Sequence, residues 1–332
     1  MTNFYWEHDA HLTHLQGCRV AVLGYGNLGR SFALNLRDSG VPVMVGNAPD
    51  EYARQARVDG FTTASIGEAT RYSNIHLLTI PDEAMPRVFL EEVSPALKTG
   101  DLLLFASAYN IAYKFIEPPI FVDVGLLAPR TLGPSVRQAY ENGTGYPTYV
   151  ALHHRATAAP MQRLLAVALA VGGLKQGALE VTFQQEVELD LFWQQAILPV
   201  LHTILATATQ ILIQEGYPKE AILSELYLSG ELSEFFRQAA EHGLRETLSG
   251  MSPMGQYSVL SRTERFQESK ISAQMEGILE VIRSGAFARE WASEFADGYP
   301  RLNAVKNRLK ESLLWRTEQA VLQSKQDMQG SS

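Results

Sequence analysis

Two pairs of residues in the second half of the sequence have the spacing to act together on one face of a helix. Asp190 and Gln194 are four residues apart, and so are Tyr227 and Glu231. Side chains at that spacing project from the same face, so each pair offers two oxygen-bearing groups to one site. Carboxyl and phenol groups can donate or accept protons, and carboxylates are also ligands that Mg²⁺ prefers. For any single member of these pairs, the alternative interpretation is a solvated helix face.

A glycine pattern near the start of the chain predicts a binding site for a dinucleotide. An apolar run of strand length ends at Gly24, and Gly26 and Gly29 complete Gly-x-Gly-x-x-Gly before a helical pattern begins. The first glycine permits the tight turn, the second lets a pyrophosphate approach the backbone, and the third lets the helix pack against the strand. The helix N-terminus offers N–H groups and partial positive charge to the phosphates. The alternative is a βα turn without a ligand. The predicted cofactor contacts in this turn are Gly24, Tyr25, Gly26, Asn27, Leu28 and Gly29.

The end of the next predicted strand, at Gly46, indicates which cofactor is preferred. Asn47, Asp50 and Glu51 follow this strand, and the first arginine comes only at Arg54. A carboxylate here accepts from the ribose 2′-hydroxyl and repels a 2′-phosphate, whereas arginine favours the phosphate. We therefore predict that Asn47, Asp50 and Glu51 contact the cofactor, and that NADH is preferred over NADPH. The alternative is that Asp50 only caps the helix that begins near Glu51.

Strand and helix patterns alternate through the first half of the chain. Apolar runs of strand length recur at 75–80, 102–106 and 120–127, with helical segments between them. This alternation predicts an α/β Rossmann domain with a doubly wound, mostly parallel sheet, in which loops at the carboxyl ends of the strands carry the ligand contacts. Those loops add Ile80, Pro81, Ala106 and Ser107 to the predicted cofactor contacts, and Tyr109 and Arg130 to the candidate substrate site.

From about residue 180 onward the alternation ends and the sequence is helical throughout. We expect a Rossmann domain over 1–180, an all-helical domain over 181–325 and a disordered tail over 326–332. The longest apolar stretch, 196–213, is interrupted by Pro199 and several polar residues, which predicts a buried helix rather than a membrane span.

Composition limits the classes of partner and compartment. The 332 residues carry a net charge of −8 with no basic block, which argues against nucleic acid and anionic membranes as partners. One cysteine, Cys18, excludes an intrachain disulfide and is typical of a reducing compartment. The first residues have the pattern of neither a signal peptide nor a transit peptide, so we expect a cytoplasmic protein.

Short runs of sequence from about Leu15 to Trp315 match one enzyme family in order and with few gaps. The matching runs are 24–29, 33–40, 81–83, 110–111, 118–119, 128–129, 190–192, 195–196, 215–217 and 285–291. With these runs the chain resembles ketol-acid reductoisomerase of the short class that has a single knot. The resemblance implies a Rossmann domain followed by a knotted, all-helical domain that dimerises to complete the site. It also implies NAD(P)H and two Mg²⁺ ions, which run an alkyl shift and then a ketone reduction in branched-chain amino-acid synthesis.

The metal ligands implied by the resemblance are only partly present. Four acids on two helices fall on Asp190, Gln194, Tyr227 and Glu231, of which only the first and last are acids here. A pair of Mg²⁺ ions needs several anionic oxygens, whereas glutamine offers a neutral carbonyl and a tyrosine phenol is protonated at neutral pH. We therefore expect no dinuclear site. Asp190 and Glu231 could hold one ion weakly.

Other site positions implied by the resemblance have also changed. The family's active-site histidine corresponds to Ser107, and its lysine to Arg130, which keeps the charge with a different geometry. The family's substrate-binding serine corresponds to Ser249, in a shortened loop. The candidate catalytic residues are therefore Glu231, Asp190, Tyr227, Ser107 and Arg130, and the candidate substrate contacts are Gln194, Ser249 and Tyr109.

Three hypotheses about function follow from these residues. The preferred one is an NAD(P)H-dependent reductase of a small 2-oxo acid or imine that has lost the metal-dependent alkyl migration. The second is a Mg²⁺-dependent ketol-acid reductoisomerase with unusual ligands. The third is a non-catalytic dimer that binds nucleotide.

Overall fold

The computed structural model describes residues 3–263, 265–266 and 268–329. The chain divides into two compact units, Met1–Asp190 and Leu191–Ser332. The dividing point lies beyond the expected boundary at 180/181, because a helix that begins at Phe183 contributes its first turns to the sheet-containing unit.

The first unit is built on a nine-stranded sheet. Its strands are β1 (Phe4–Tyr5), β2 (Val20–Leu23), β3 (Val43–Gly46), β4 (Thr62–Ala64), β5 (Ile75–Leu78), β6 (Leu102–Phe105), β7 (Asp123–Pro129), β8 (Thr148–His154) and β9 (Ala178–Glu180). The strand order is β1-β9-β8-β7-β6-β5-β2-β3-β4. Only the β7/β8 and β1/β9 pairs are antiparallel. The predicted Rossmann-type, mostly parallel sheet is therefore confirmed.

Helices cover the sheet in the way that its sequence pattern requires. Strands β2, β5 and β6 are buried along their whole length, and all their residues except His76 in β5 are apolar, as expected for strands packed on both faces. The helices of this unit are α1 (Asn27–Asp38), α2 (Glu51–Val58), α3 (Ile66–Tyr72), α4 (Met85–Val88), α5 (Tyr109–Ala112), α6 (Gly133–Glu141), α7 (Pro160–Ala170) and α8 (Phe183–Phe192). Since β7, β6, β5 and β2 are neighbours, the loops that leave their carboxyl ends lie side by side.

The described residues of the second unit form helices and the short turns between them, as expected. Its helices are α9 (Leu198–Gln214), α10 (Lys219–Leu223), α11 (Glu231–His242), α12 (Leu244–Ser249), α13 (Pro253–Thr263), α14 (Glu268–Arg283), α15 (Ala286–Ala296), α16 (Pro300–Lys310) and α17 (Leu313–Gln329). The last helix covers the described part of the expected tail at 326–332, and residues 330–332 lie outside the described residues.

One long helix is more exposed to solvent than we expected. Helix α8 continues through a π-helical segment, Trp193–Ile197, into α9, so that Phe183–Gln214 forms one helix long and apolar enough to cross a membrane by those criteria alone. We expected the 196–213 stretch to be buried, and this is wrong for the chain by itself: only 11% of the apolar window is buried. Ile204 and Ile211 are 56% and 53% exposed. The helix therefore presents apolar side chains that no described part of this chain covers.

Candidate functional site

The glycine turn between β2 and α1 has the backbone geometry that a dinucleotide-binding turn requires. Gly24 has φ +98°, which favours glycine, and α1 begins two residues after Tyr25. A Cβ on Gly29 would lie 1.9 Å from the Gly24 carbonyl oxygen, so the helix and strand approach as closely as glycine allows. A Cβ on Gly26 would meet nothing within 4 Å. The backbone at Gly26 thus faces open space next to a helix N-terminus, where a phosphate could bind.

The other side chains of this turn have structural partners. The Tyr25 ring is buried, and its hydroxyl donates to Asp59 Oδ2 at 2.8 Å. Arg30 also donates to Asp59, and hydrogen bonds from Arg30 and Tyr25 lower the pKa of that carboxyl to about 2. Asn27 opens α1 and is exposed, and Leu28 follows it within the helix. Of the predicted contacts here, Tyr25 can therefore offer a ligand only its backbone.

Asp50, the first acidic residue after β3, caps the N-terminus of α2. Asp50 Oδ1 accepts from the Ala53 N–H at 3.0 Å and from Asn47 Nδ2 at 2.8 Å, while Asn47 Oδ1 accepts from the Tyr25 N–H at 2.8 Å. Glu51 is exposed in the first turn of α2. Asn47 and Asp50 thus connect the glycine turn to α2, and the alternative of a helix cap is realised.

Ser107, after β6, lies close to a carboxylate that our sequence-based site did not include. Its Oγ donates to Asp82 Oδ2 at 3.1 Å, and Asn110 Nδ2 donates to Asp82 Oδ1 at 3.1 Å. Asp82 follows β5 directly after the predicted contacts Ile80 and Pro81, and Ala106 precedes Ser107. Burial is the largest cause that raises the pKa of Asp82 to about 6, and the charges of Glu83 and Asp190 add to it.

Arg130, after β7, forms the second half of the site. Its Nη2 lies 3.0 Å from Glu186 Oε1, and its Nη1 lies 3.2 Å from Asp190 Oδ1. The guanidinium carbon lies 4.9 Å from the centre of the Tyr149 ring. The Ala108 N–H donates to Glu186 Oε2 at 3.0 Å. Burial raises the pKa of Glu186 to about 7, although the Arg130 charge and the Ala108 hydrogen bond oppose that rise.

Sequence reasoning missed Asp82, Asn110 and Glu186. Two signals were present: Asp82 follows an apolar strand directly, and Glu186 lies four residues before Asp190 on a predicted helix. The predicted substrate contact Tyr109 is placed differently from expectation. Its ring is 7% exposed and packs on Phe115, and its buried hydroxyl has no hydrogen-bond partner among the described residues. It therefore belongs to the packing beneath the site.

The remaining candidate residues lie in the helical unit. The Tyr227 hydroxyl donates to Glu318, and burial together with that hydrogen bond raises the pKa of the phenol. Glu231 begins α11, and its N–H donates to Ser229 Oγ at 3.3 Å. Ser249 Oγ donates to the Arg245 carbonyl at the end of α12. Gln194 lies in the π-helical segment after α8.

Several of the candidate metal ligands already have protein partners. In the first unit Asp190 and Glu186 both face the guanidinium of Arg130, and in the second unit the Tyr227 phenol is hydrogen-bonded to Glu318. Among residues 3–263, 265–266 and 268–329, we find no group of three or more His, Cys, Asp or Glu side chains arranged to hold a metal ion. The first unit can bind a dinucleotide at the glycine turn and exchange protons through Ser107 and Asp82.

Family models cover almost the whole chain. Residues 14–177 match the model described as "Acetohydroxy acid isomeroreductase, NADPH-binding domain", and residues 183–326 match "Ketol-acid reductoisomerase, C-terminal domain". The chain is 36% identical over 315 residues to a ketol-acid reductoisomerase (NADP(+)) of Caldivirga maquilingensis, covering 95% of each protein. It is also 36% identical to the enzyme of that name from Sulfolobus acidocaldarius, covering 94% of this chain and 93% of that one.

A solved structure shows the same similarity in three dimensions. The structure of an NADH-preferring ketol-acid reductoisomerase from an uncultured archaeon superposes with a TM-score of 0.89 at 28% sequence identity. The match covers 97% of this chain and 98% of that one. Both units of the present chain thus have counterparts in that protein.

Proposed function

We propose, from the premise that this chain belongs to the ketol-acid reductoisomerase family, that it reduces a small 2-oxo acid or imine with NAD(P)H and does not carry out the metal-dependent alkyl migration. One observation carries this proposal: the Arg130 guanidinium lies across Glu186 and Asp190, where Asp190 is the acid that the family's motif assigns to metal. Alkyl migration needs a metal ion to polarise the ketone and to stabilise an alkoxide, whereas hydride transfer does not.

The residues of the first unit supply most of what such a reduction needs. The turn at Gly26 and the N-terminus of α1 hold the pyrophosphate, and the bound nicotinamide supplies the hydride. Ser107 holds a proton close to Asp82, whose raised pKa of about 6 lets the carboxyl be protonated in mildly acidic solution. A protonated Asp82 can donate to Ser107 Oγ while the serine hydroxyl passes its own proton to a carbonyl oxygen. Glu186, with its pKa near 7, holds a further exchangeable proton beside Arg130.

We further propose that NADH is preferred over NADPH. Asp50 and Glu51 are exposed at the end of β3, where negative charge disfavours a 2′-phosphate, and the first arginine comes only at Arg54. A structural relative at 28% identity is named as NADH-preferring. The curated relatives at 36% identity are named for NADP(+), so cofactor preference varies within the family.

The assembled protein is proposed to be a cytoplasmic homodimer or a higher homo-oligomer. Along Phe183–Gln214, large apolar side chains such as Trp193, Ile204 and Ile211 are more than half exposed in the single chain. Apolar surface of this extent is covered in solution by a protein partner, and a second copy is the simplest one. A knotted helical domain also remains a prediction of the family resemblance. Light scattering coupled to gel filtration should give a mass of at least two chains without detergent.

One set of assays tests the proposed activity. NADH and NADPH oxidation are measured with 2-acetolactate, with 3-hydroxy-3-methyl-2-oxobutanoate and with a panel of 2-oxo acids and cyclic imines, each with Mg²⁺ and with EDTA. We expect turnover of a 2-oxo acid or imine that EDTA leaves unchanged, and none of 2-acetolactate. Turnover of 2-acetolactate that requires Mg²⁺ would identify a complete reductoisomerase, for which 36% identity over 95% of the chain is the supporting observation. NADH binding without turnover of any substrate would identify a nucleotide-binding dimer.

A variant assigns the activity to this site. Ser107→Ala should lower kcat by roughly 10²-fold or more, the usual contribution of one positioned proton donor. Ser107→Thr keeps the hydroxyl and serves as the matched control, with kcat within about tenfold of the parent. Equal activity of the alanine variant would place the proton donor elsewhere.

A further inference from the structure

Arg130 is held from three sides by groups of the first unit. Its two terminal nitrogens contact different carboxylates, Nη2 with Glu186 at 3.0 Å and Nη1 with Asp190 at 3.2 Å. Its guanidinium plane lies over Tyr149 at 4.9 Å. The arginine side chain is 23% exposed, and the Glu186 side chain only 2%. The guanidinium is thus fixed in a position that solvent reaches only in part.

The carboxylates in this cluster require a cation. Glu186 and Asp190 are one turn apart on α8, and the charges of Asp190 and Asp82 both act on Glu186. The Glu186 side chain is 2% exposed and that of Asp190 is 40% exposed, so solvent screens their repulsion only on the Asp190 side, and a cation between the two carboxylates offsets that repulsion. A divalent ion or a basic side chain such as a guanidinium can provide that cation.

Arginine meets this need in a way that lysine does not. A guanidinium is charged at every physiological pH and presents separate donors in a fixed plane, so one side chain can bridge two carboxylates. An ammonium is a single point of charge on a flexible stem. The resemblance assigns a lysine to this position, and the arginine found here uses both terminal nitrogens on acids. Its Nε is buried without an acceptor among the described residues. The terminal nitrogens are therefore already committed to Glu186 and Asp190 rather than to a substrate carboxylate.

We propose that the Arg130 guanidinium is the resident cation of the Glu186–Asp190 pair, and that it excludes divalent ions from these carboxylates. This inference rests on the metal-independent reduction proposed above, but it concerns binding and not turnover. It predicts that Glu186 and Asp190 bind a divalent ion once the guanidinium is removed.

The experiment is a titration with Mn²⁺, a spectroscopic substitute for Mg²⁺, followed by electron paramagnetic resonance of the unbound ion. Five full-length proteins are compared: the parent, Arg130→Met, Asp190→Asn, Arg130→Met with Asp190→Asn, and Arg130→Lys. Arg137→Met is the matched control, because Arg137 contacts Asp38 and Asn35 in the same unit. We expect Arg130→Met to bind one Mn²⁺ at least about tenfold more tightly than the parent, since two carboxylates lose their counter-ion. The added Asp190→Asn change should remove that site, Arg130→Lys should bind less tightly than Arg130→Met, and Arg137→Met should behave as the parent.

Two results would overturn the proposal. The first is an Arg130→Met protein that keeps the parental circular dichroism and gains no Mn²⁺ site. The second needs no change at Arg130: if the parent binds Mn²⁺ and Asp190→Asn alone abolishes that binding, a divalent ion is the resident cation. Identical isotherms for the parent and Asp190→Asn support the proposal even where Arg130→Met does not fold. Failure of the proposed function would be seen separately, as Mg²⁺-dependent turnover of 2-acetolactate.

Discussion

Replacing Asp82 by asparagine tests the electrostatics of the site through stability. The carboxylate accepts hydrogen bonds from Ser107 and Asn110, yet burial and the charges of Glu83 and Asp190 raise its pKa to about 6. In Asp82→Asn the amide oxygen can still accept from Asn110, and the amide nitrogen can donate to Ser107 Oγ. The substitution therefore removes the charge while it keeps the shape and most of the hydrogen bonds.

The size and sign of the effect follow from linkage. Because the folded protein holds the Asp82 proton to a higher pH than the unfolded chain does, it binds more protons between about pH 4 and pH 6, and its free energy of unfolding falls as the pH rises through that window. With a folded pKa of about 6 and an unfolded value of 3.8, ionisation costs about 1.5 kcal/mol at pH 5 and about 3 kcal/mol at pH 8. Asp82→Asn avoids this cost. Its advantage over the parent should therefore grow by about 1.5 kcal/mol from pH 5 to pH 8.

The measurement is urea denaturation of parent and variant at pH 5 and at pH 8, followed by circular dichroism. The change in the difference between the two proteins is the informative quantity, since contributions of groups that do not interact with Asp82 cancel in it. The charge of Asp82 also raises the pKa of Glu186, so removing that charge adds to the expected change with the same sign. Glu91→Gln, an exposed acid in an ion pair with Arg87, is the control for loss of one surface charge, and it should change the free energy of unfolding by less than about 0.5 kcal/mol at either pH. A difference between Asp82→Asn and the parent that stays constant, or that shrinks as the pH rises, would refute the assignment of a raised pKa to Asp82.

Three further predictions concern the cofactor turn and the helical unit. Gly29→Ala should abolish NADH binding and lower the melting temperature, because its Cβ would collide with the Gly24 carbonyl oxygen. Gly26→Ala should fold normally and bind NADH roughly tenfold more weakly, because its Cβ meets no protein atom and enters the space expected for phosphate. Fluorescence titration measures the NADH affinity of each variant, and thermal melts measure its stability. Asp50→Ala should cost about 1 kcal/mol through the lost helix cap, whereas Asp50→Asn keeps the cap and should shift the kcat/KM ratio toward NADPH. Tyr227→Phe should destabilise the protein by about 1–3 kcal/mol, because Glu318 loses a hydrogen-bond donor in a partly buried position, and Glu318→Gln should cost less in the same urea titration.

The fold was predictable from local sequence where strands are buried on both faces. Strands β2 and β6 are unbroken apolar runs, β5 is apolar apart from His76, and each is followed by a turn and a helical pattern. Strand β8 was not predicted, because Thr148–His154 mixes polar and apolar residues and its antiparallel pairing with β7 depends on residues distant in sequence. The strand expected at 120–127 begins only at Asp123 and continues to Pro129.

The site was predictable only in the parts that a motif fixes. The glycine turn has a local geometry, so its residues follow from spacing alone. The contacts that carry the chemistry join residues far apart in sequence: Ser107 meets Asp82 across 25 positions, and Arg130 meets Glu186 across 56. The local signal at Glu186 is only its position four residues before Asp190, because its burial depends on how α8 packs against the loops after β6 and β7.

The charge balance around Arg130 depends on the neutral residue at position 194. An acid at each of 190 and 194 would place two carboxylates one turn apart, in addition to Glu186, and such a set needs more positive charge than one guanidinium supplies. Because Gln194 is neutral, Arg130 can neutralise Asp190. It also contacts Glu186, whose pKa near 7 means that this carboxyl is only partly ionised at neutral pH. The loss of an acid at position 194 lowers the negative charge of the cluster, and arginine at position 130 keeps the positive charge of the family's lysine while its two terminal nitrogens reach both remaining acids. On these two features we base the proposal that the site works without a divalent ion.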